Sequence, residues 1–179
     1  MKLKRIVVFV GGVHGVGKTT ICKAICEGLK LEYLSASDLI KWSEMNDDPY
    51  NKFVKDISDM QRRLVSALDN NVTAGKHYLL DGHFCLFNFE GTVTKVPMQT
   101  FELIKPSLLC VISGDASEIK EALQSRGSND YKLKLINEMQ SSEISYATET
   151  SSHLHVPLVQ GSRTRIDKLI ADLKKALYP

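Results

Sequence analysis

Apolar residues along this chain fall into two kinds of segment that alternate from end to end: short unbroken runs, and longer stretches in which they return at helical spacing. The runs Ile6 to Val10, Glu32 to Ser35, His77 to Asp81, Leu108 to Ile112 and His155 to Val159 predict five strands, and the first is continuous enough to be buried on both faces. Between the runs, Ile21, Ala24, Ile25 and Leu29 mark a first helix. Ser35 or Ser37 can cap a short helix holding Leu39, Ile40 and Trp42, and Asp47-Asp48-Pro49 marks a turn. From Asn51 to about Asn71, the spacing of Phe53, Ile57, Met60, Leu64, Val65 and Leu68 predicts one amphipathic helix. Asp115 starts another, with Ile119, Ala122 and Leu123 on one face. After a break at Arg126-Gly127, a helix from about Tyr131 to Thr148 carries Leu133, Leu135, Ile136, Met139, Ile144 and Ala147. Ile166, Leu169, Ile170, Leu173 and Leu177 form the buried stripe of a closing helix, with lysines on its other face. The stretch from Phe84 to Thr100 keeps no sustained period and reads as a loop over the site, with a short helix from Met98 to Ile104. Strand and helix alternating over the whole length predict a single domain, 1–179: one parallel sheet covered on both faces, with right-handed crossovers.

The chemistry enters directly after the first strand. Gly12-Val13-His14-Gly15-Val16-Gly17-Lys18-Thr19 fits the phosphate-binding pattern G-x-x-x-x-G-K-[ST], in the strand-to-helix setting the pattern requires. Successive backbone N–H groups and a helix N-terminus meet the phosphates, and glycines stand where a side chain would block that approach. Lys18 brings mobile positive charge to the β- and γ-phosphates, and the Thr19 hydroxyl suits Mg²⁺. Asp81 closes the third predicted strand. Ligands bind beyond the carboxyl ends of the strands in open α/β sheets, so Asp81 faces the loop and serves as the second magnesium residue, although Asp81-Gly82 is by itself also a common turn pair.

Charge narrows the partners. With 23 basic and 21 acidic residues the net charge is +2, too small for a general field toward nucleic acid or membrane. The opening Lys2, Lys4 and Arg5 resemble a signal-peptide start, but the apolar run behind them is broken by Gly11, Gly12 and His14, so no secretion signal or membrane span is expected. Cys22, Cys26, Cys85 and Cys110 lack zinc spacing, and three of them sit in core-like segments, which suits a reduced, cytoplasmic protein.

Together these motifs resemble the P-loop nucleoside-monophosphate kinase family, and their spacing is most similar to adenylate kinases of archaeal type. Gly12 to Thr20 matches the family's opening loop, Ser37-Asp38-Leu39 lies where the acceptor-binding segment begins, and Asp81-Gly82-His83 resembles the archaeal-type Asp-Thr-His. The resemblance implies a three-layer P-loop NTPase fold with a five-stranded parallel core, an acceptor-binding insertion over about 37–71 and a short lid over about 124–132. It implies reversible transfer of the γ-phosphoryl of Mg-ATP to a small acceptor. The nucleotide would lie against Gly12, Val13, His14, Gly15, Val16, Gly17, Lys18, Thr19 and Thr20, with Thr19 and Asp81 holding Mg²⁺ directly or through water. Lys41 would meet the acceptor phosphate, Ser37 and His83 would stand near the acceptor, and Lys18, Asp81 and Arg126 would carry the catalysis.

One departure stands out. Such kinases place several arginines in the lid and the helix after it, where planar multi-donor groups stabilise the transferring oxygens. Here Arg126 stands alone, and Arg62, Arg63, Arg163 or Arg165 must substitute if others are needed. Cys85 also falls where bacterial-type enzymes hold an acceptor-binding arginine. Three functions therefore remain open: a small-molecule kinase, a nucleotide-dependent switch or slow ATPase acting through a protein partner, and a polynucleotide kinase. The last is disfavoured by the near-neutral charge and the lack of an aromatic-and-basic stripe.

Overall fold

The computed structural model describes residues 6–40, 53–54, 57–73, 75–88, 90–129 and 131–179. In chain order the elements are β1 (Ile6–Gly12), α1 (Lys18–Leu29), β2 (Glu32–Ser35), α2 (Ala36–Ile40), β3 (Phe53–Val54), α3 (Ile57–Asn71) and β4 (His77–Asp81). There follow β5 (Cys85–Asn88), β6 (Val93–Lys95), α4 (Met98–Ile104), β7 (Leu108–Ser113), α5 (Ala116–Ser125), α6 (Leu133–Leu154), β8 (Leu158–Ser162) and α7 (Ile166–Leu177).

The five predicted runs pair as one parallel sheet in the order β2-β4-β1-β7-β8. The sheet has the α/β, P-loop NTPase arrangement, with helices over both faces. β1 is central, and Val7, Val8, Phe9 and Val10 are all buried, as a strand covered on both faces requires. Its neighbours β4 and β7 arrive from opposite sides, which makes the carboxyl end of β1 the point where the strand order reverses and a crevice opens. Phe9 packs edge-on against Phe84 and Phe101, with ring centroids at 5.0 and 5.2 Å, and Phe101 meets Tyr146 of α6. The α1–α7 contact is close: a Cβ on Gly28 would come within 2.9 Å of Ile170.

Four expectations change. The segment 84–97 is not a loop, because β5 and β6 form an antiparallel hairpin and β3 pairs parallel with β5. The Asn88 side chain closes that hairpin by accepting from the N–H groups of Glu90 and Thr92, and Gly91 takes φ 79° in the turn. Strands this short, of four and three residues, leave no period to read. The helix expected from Asn51 starts at Ile57, and Phe53–Val54 joins the small sheet: Phe53 is in helical phase with Ile57, yet its backbone pairs with β5. The helix expected to end at Thr148 runs on to Leu154, where His155 takes a left-handed φ of 54° and caps it. The last strand accordingly begins at Leu158, not His155. The short helix over Met98–Ile104 is present, while Trp42 and the turn at Asp47 lie outside the described residues. None of the described helices is long and apolar enough to cross a membrane.

Gly11 marks the tightest approach in the core, since a Cβ there would lie 2.3 Å from the Phe84 ring and 2.9 Å from Glu143 Oε2. Gly11→Ala should lower stability by about 1–3 kcal/mol through overpacking. An unchanged denaturation midpoint would mean that Phe84 moves aside without cost.

Candidate functional site

The loop between β1 and α1 folds around buried anchors and positive-φ glycines. Val13 and Val16 are buried, 3% and 4% exposed, and fix the loop to the core. Gly15 and Gly17 hold φ of 84° and 86°, a conformation that side chains rarely adopt. Gly17 is also the N-cap of α1 and has no side chain to compete for the first-turn N–H groups, so the helix start is suited to phosphate oxygens. Thr19 and Thr20 are exposed on that first turn, and His14 is half-buried.

Lys18 emerges from this turn directly at Asp81, and its Nζ donates to Asp81 Oδ1. The other carboxylate oxygen accepts from the Tyr33 hydroxyl at 2.9 Å, and Tyr33 in turn bonds to the Thr19 side chain. Burial, followed by the Asp81 carboxylate, pushes the Tyr33 phenol up, so it stays a protonated donor. Three strand or helix ends thus bring the expected lysine, threonine and aspartate into one hydrogen-bonded group. The fit to Mg²⁺ is good: a carboxylate and a hydroxyl, both hard oxygen donors, sit beside a phosphate cradle.

This group forms one wall of a cavity of about 240 Å³. His14, His83 and Arg126 join it on the loop side, while Phe9, Ile40, Met60, Leu64, Leu86 and Phe101 supply an apolar recess. Ser35, Ser37, Gln61 and Thr100 line the same cavity as neutral polar groups. Of the acceptor residues expected from the sequence, Ser37 and His83 therefore reach the cavity, and Lys41 lies outside the described residues. Ser35, not Ser37, caps α2, accepting from the Asp38 N–H at 3.3 Å. Cys85 is fully buried, where burial pushes its thiol up to about 12, so it is a core residue and not a contact for an acceptor.

Arginine is distributed more widely than the lid alone indicates. Arg126 ends α5 and lines the cavity, whereas Arg163 lies on the opposite flank of the loop, where a Cβ on Gly17 would meet its Cδ at 3.3 Å. Arg163 donates to Glu118 at 3.1 Å and lines a second hollow with Gly15, Val16, Gly114 and Asp115. Arg62 and Arg63 are exposed on α3 and Arg165 is exposed before α7.

The residue that sequence reasoning missed is Glu143. It is 1% exposed on α6, and its carboxylate accepts from the N–H groups of Phe84 and Cys85 at 3.1 Å and from that of Gly12. His83 Nδ1 lies 3.6 Å from Glu143 Oε1, and the His83 ring is 4.3 Å from that of His14. Glu143 thereby ties α6 to the end of β1 and to the chain leaving β4. Its signal was present: the buried stripe of α6 runs Ile136, Met139, Glu143, Tyr146, Ala147 and Thr150, and Glu143 keeps the helical spacing of its neighbours. An acid within an apolar stripe is rarely buried unless it is paired.

A family model described as AAA domain matches residues 11–140. The chain is also similar to a solved structure, an uncharacterized protein from Eubacterium ventriosum ATCC 27560, at TM-score 0.50 and 12% identity, over 96% of this chain and 98% of that one. At that identity the likeness concerns the fold alone.

Burial pushes the Glu143 carboxyl up from 4.5 to about 7, against the opposing pull of its backbone donors and of Lys18. The folded protein therefore keeps a proton that the unfolded chain releases, and the stability this group contributes is full below pH 4.5 and is lost as pH rises through about 7. The loss is on the order of 3 kcal/mol. Glu143→Gln should remove this descending component from a plot of denaturation free energy against pH. An identical slope in the variant assigns the titration to other groups.

Proposed function

The chain belongs to the AAA domain family of P-loop proteins, and on that footing we propose that it is an ATP-binding phosphotransferase, moving the γ-phosphoryl of Mg-ATP to a small acceptor of the nucleotide, nucleoside or related metabolite kind. The observation that carries this reading is the continuity of the cavity: Lys18, Thr19 and Asp81 stand at one end and a recess walled by α2, α3 and α4 at the other. A hydrolase needs room only for water, whereas a transferase needs a second substrate beside the γ-phosphoryl. At about 240 Å³ the space suits a small metabolite, being below the roughly 300–1,000 Å³ of drug-sized pockets. The likeness of the loop and of Asp81-Gly82-His83 to archaeal-type adenylate kinases supports the same reading.

Roles follow from position. The loop amides and the start of α1 bind the phosphates, and Lys18 leaves Asp81 to reach the β- and γ-phosphates. Thr19 and Asp81 are the residues that would hold Mg²⁺, which neutralises phosphate charge when bound. An ion held there would take its other ligands from phosphate and water. Arg126 stabilises the charge of the transferring group from the cavity side, and Arg163 lies beside Gly17 on the other. The hollow lined by Arg163, Gly114 and Asp115 adjoins the loop and is the place for the nucleoside end of ATP.

Incubation with Mg-ATP and a panel of small acceptors, following both ATP loss and phosphorylated product, tests the reading. Transfer to at least one acceptor is expected above hydrolysis, and Lys18→Ala should reduce it to background while keeping a cooperative unfolding transition. Hydrolysis with no acceptor phosphorylated would overturn the assignment in favour of a slow ATPase or switch, and unchanged turnover in Lys18→Ala would remove the loop from the chemistry.

A further inference from the structure

Tyr33 joins the two residues assigned to magnesium, and the direction of its hydrogen bonds says more than either contact alone. Its hydroxyl donates to Asp81 Oδ2 at 2.9 Å and also bonds to the Thr19 side chain. A phenol has one hydrogen to give, and an ionised carboxylate can only accept it. Since that hydrogen goes to Asp81, the second bond runs the other way: Thr19 donates and the phenol oxygen accepts. The three groups form one chain, from the Thr19 hydroxyl through the Tyr33 hydroxyl to the Asp81 carboxylate, with a single polarity throughout.

That polarity is the one a cation requires. A hydroxyl meets a hard cation through a lone pair, so its hydrogen must be turned aside and taken by an acceptor. With its hydrogen given to Tyr33, Thr19 can meet any further partner only as an acceptor. Asp81 is held at both oxygens, Oδ1 by Lys18 and Oδ2 by Tyr33. When phosphate draws Lys18 away, the phenol still holds Oδ2 and with it the plane of the carboxylate. The sheet register puts the phenol there. β2 pairs in parallel with β4 so that Tyr33 lies level with Leu79 and Ser35 with Asp81, which sets Tyr33 and Asp81 on one face of the sheet. The ring carries its hydroxyl across the two-residue step between them, about 6–7 Å along the strand, and Thr19 reaches the same point from the first turn of α1. Satisfying Asp81 alone would need no bond to Thr19.

Resting on the reading above in which Thr19 and Asp81 take Mg²⁺, we propose that Tyr33 is the positioning residue of that site: its hydroxyl orients the Thr19 hydroxyl and the Asp81 carboxylate together, and so sets how far Mg²⁺ and nucleotide strengthen each other's binding. Tyr33 acts on the ion only through these two side chains. Groups that orient metal ligands in this way matter where the metal is bound, and much less where it is withheld. Removing the phenol oxygen should therefore weaken nucleotide binding with Mg²⁺ selectively, a pattern that a general loss of packing around the loop does not produce.

The test measures binding and not turnover. A non-hydrolysable ATP analogue is titrated by calorimetry into wild type, Tyr33→Phe, Thr19→Val and the double variant, in EDTA and in saturating Mg²⁺. In wild type Mg²⁺ should tighten binding. In Tyr33→Phe the ratio of the affinity in Mg²⁺ to that in EDTA should fall about 10–100-fold, the range for partners that orient metal ligands, while the affinity in EDTA stays near that of wild type. Closure of the binding cycle makes that fall equal to the loss of Mg²⁺ affinity in the nucleotide complex. Tyr33→Phe should also cost less in the Thr19→Val background than in wild type, because both changes cut one chain. An unchanged ratio in Tyr33→Phe overturns the proposal and leaves the ion to Thr19 and Asp81. Equal loss with and without Mg²⁺, or losses that simply add in the double variant, overturns it as well, the first by assigning Tyr33 to the packing of the loop. Wild-type binding indifferent to Mg²⁺ removes the assignment of Thr19 and Asp81 to the ion, and the proposal falls with it.

Discussion

A carboxylate removed from water survives only where fixed donors replace the lost hydration, and Glu143 shows what that requirement imposes on the whole site. Its oxygens take the N–H groups of Phe84, Cys85 and Gly12, which belong to two separate strand exits. Those amides stand where β1 turns into the phosphate loop and where the chain leaves β4 past Asp81. One side chain from α6 therefore fixes the relative position of the loop and of the segment bearing Asp81 and His83. Gly11 belongs to the same constraint, because the space a Cβ would need is filled by the Phe84 ring and by Glu143. Geometry at the phosphate loop and geometry beside Asp81 and His83 are thus set by a common contact.

The parts of this arrangement that depend on neighbours in sequence were legible without coordinates. The phosphate loop is a local device, with glycine, lysine and threonine at fixed offsets between a buried run and a helix, and all of these adopt the conformation their types predict. The inner strands β1, β4 and β7 were visible as apolar runs because both of their faces are covered. What could not be read depends on distant partners. Glu143 occupies a core position of α6, but a pattern that scores acids as solvent-facing passes over it; only the folded chain shows that its partners come from residues about sixty positions earlier. The β5–β6 hairpin escaped for a different reason. Its strands are too short to establish a period, and its partner β3 holds only two residues within a stretch whose spacing reads as helix. Similarly, the left-handed His155 moves the last strand by three residues, an effect set by helix termination and invisible to apolar alternation.

Arginine gives the converse case, in which counting along the sequence underestimates what folding assembles. Only Arg126 falls in the segment expected to close over the phosphates. Arg163, from the turn between β8 and α7, is nevertheless carried to Gly17 because β8 pairs with β7 and ends level with the loop. Two guanidinium groups thus approach the loop from different sides, and their separation along the chain bears no relation to their separation around it. Arg163 is held by Glu118 of α5, the helix that also ends at Arg126, so the two cations are positioned through one element.

Lys18 and Asp81 complete the logic of a site built to receive charge. A lysine 10% exposed and an aspartate 6% exposed are each costly alone, and together they are compensated by their mutual contact and by the Tyr33 hydroxyl. Under the proposed function, nucleotide binding would replace that contact with phosphate oxygens for Lys18 and a cation for Asp81. Neither residue need travel far, since Thr19 already bonds to Tyr33 and Tyr33 to Asp81. The ion pair therefore keeps both charged groups together beside the phosphate loop. Much of the ordering that a bound phosphate would otherwise have to induce is already present in the fold.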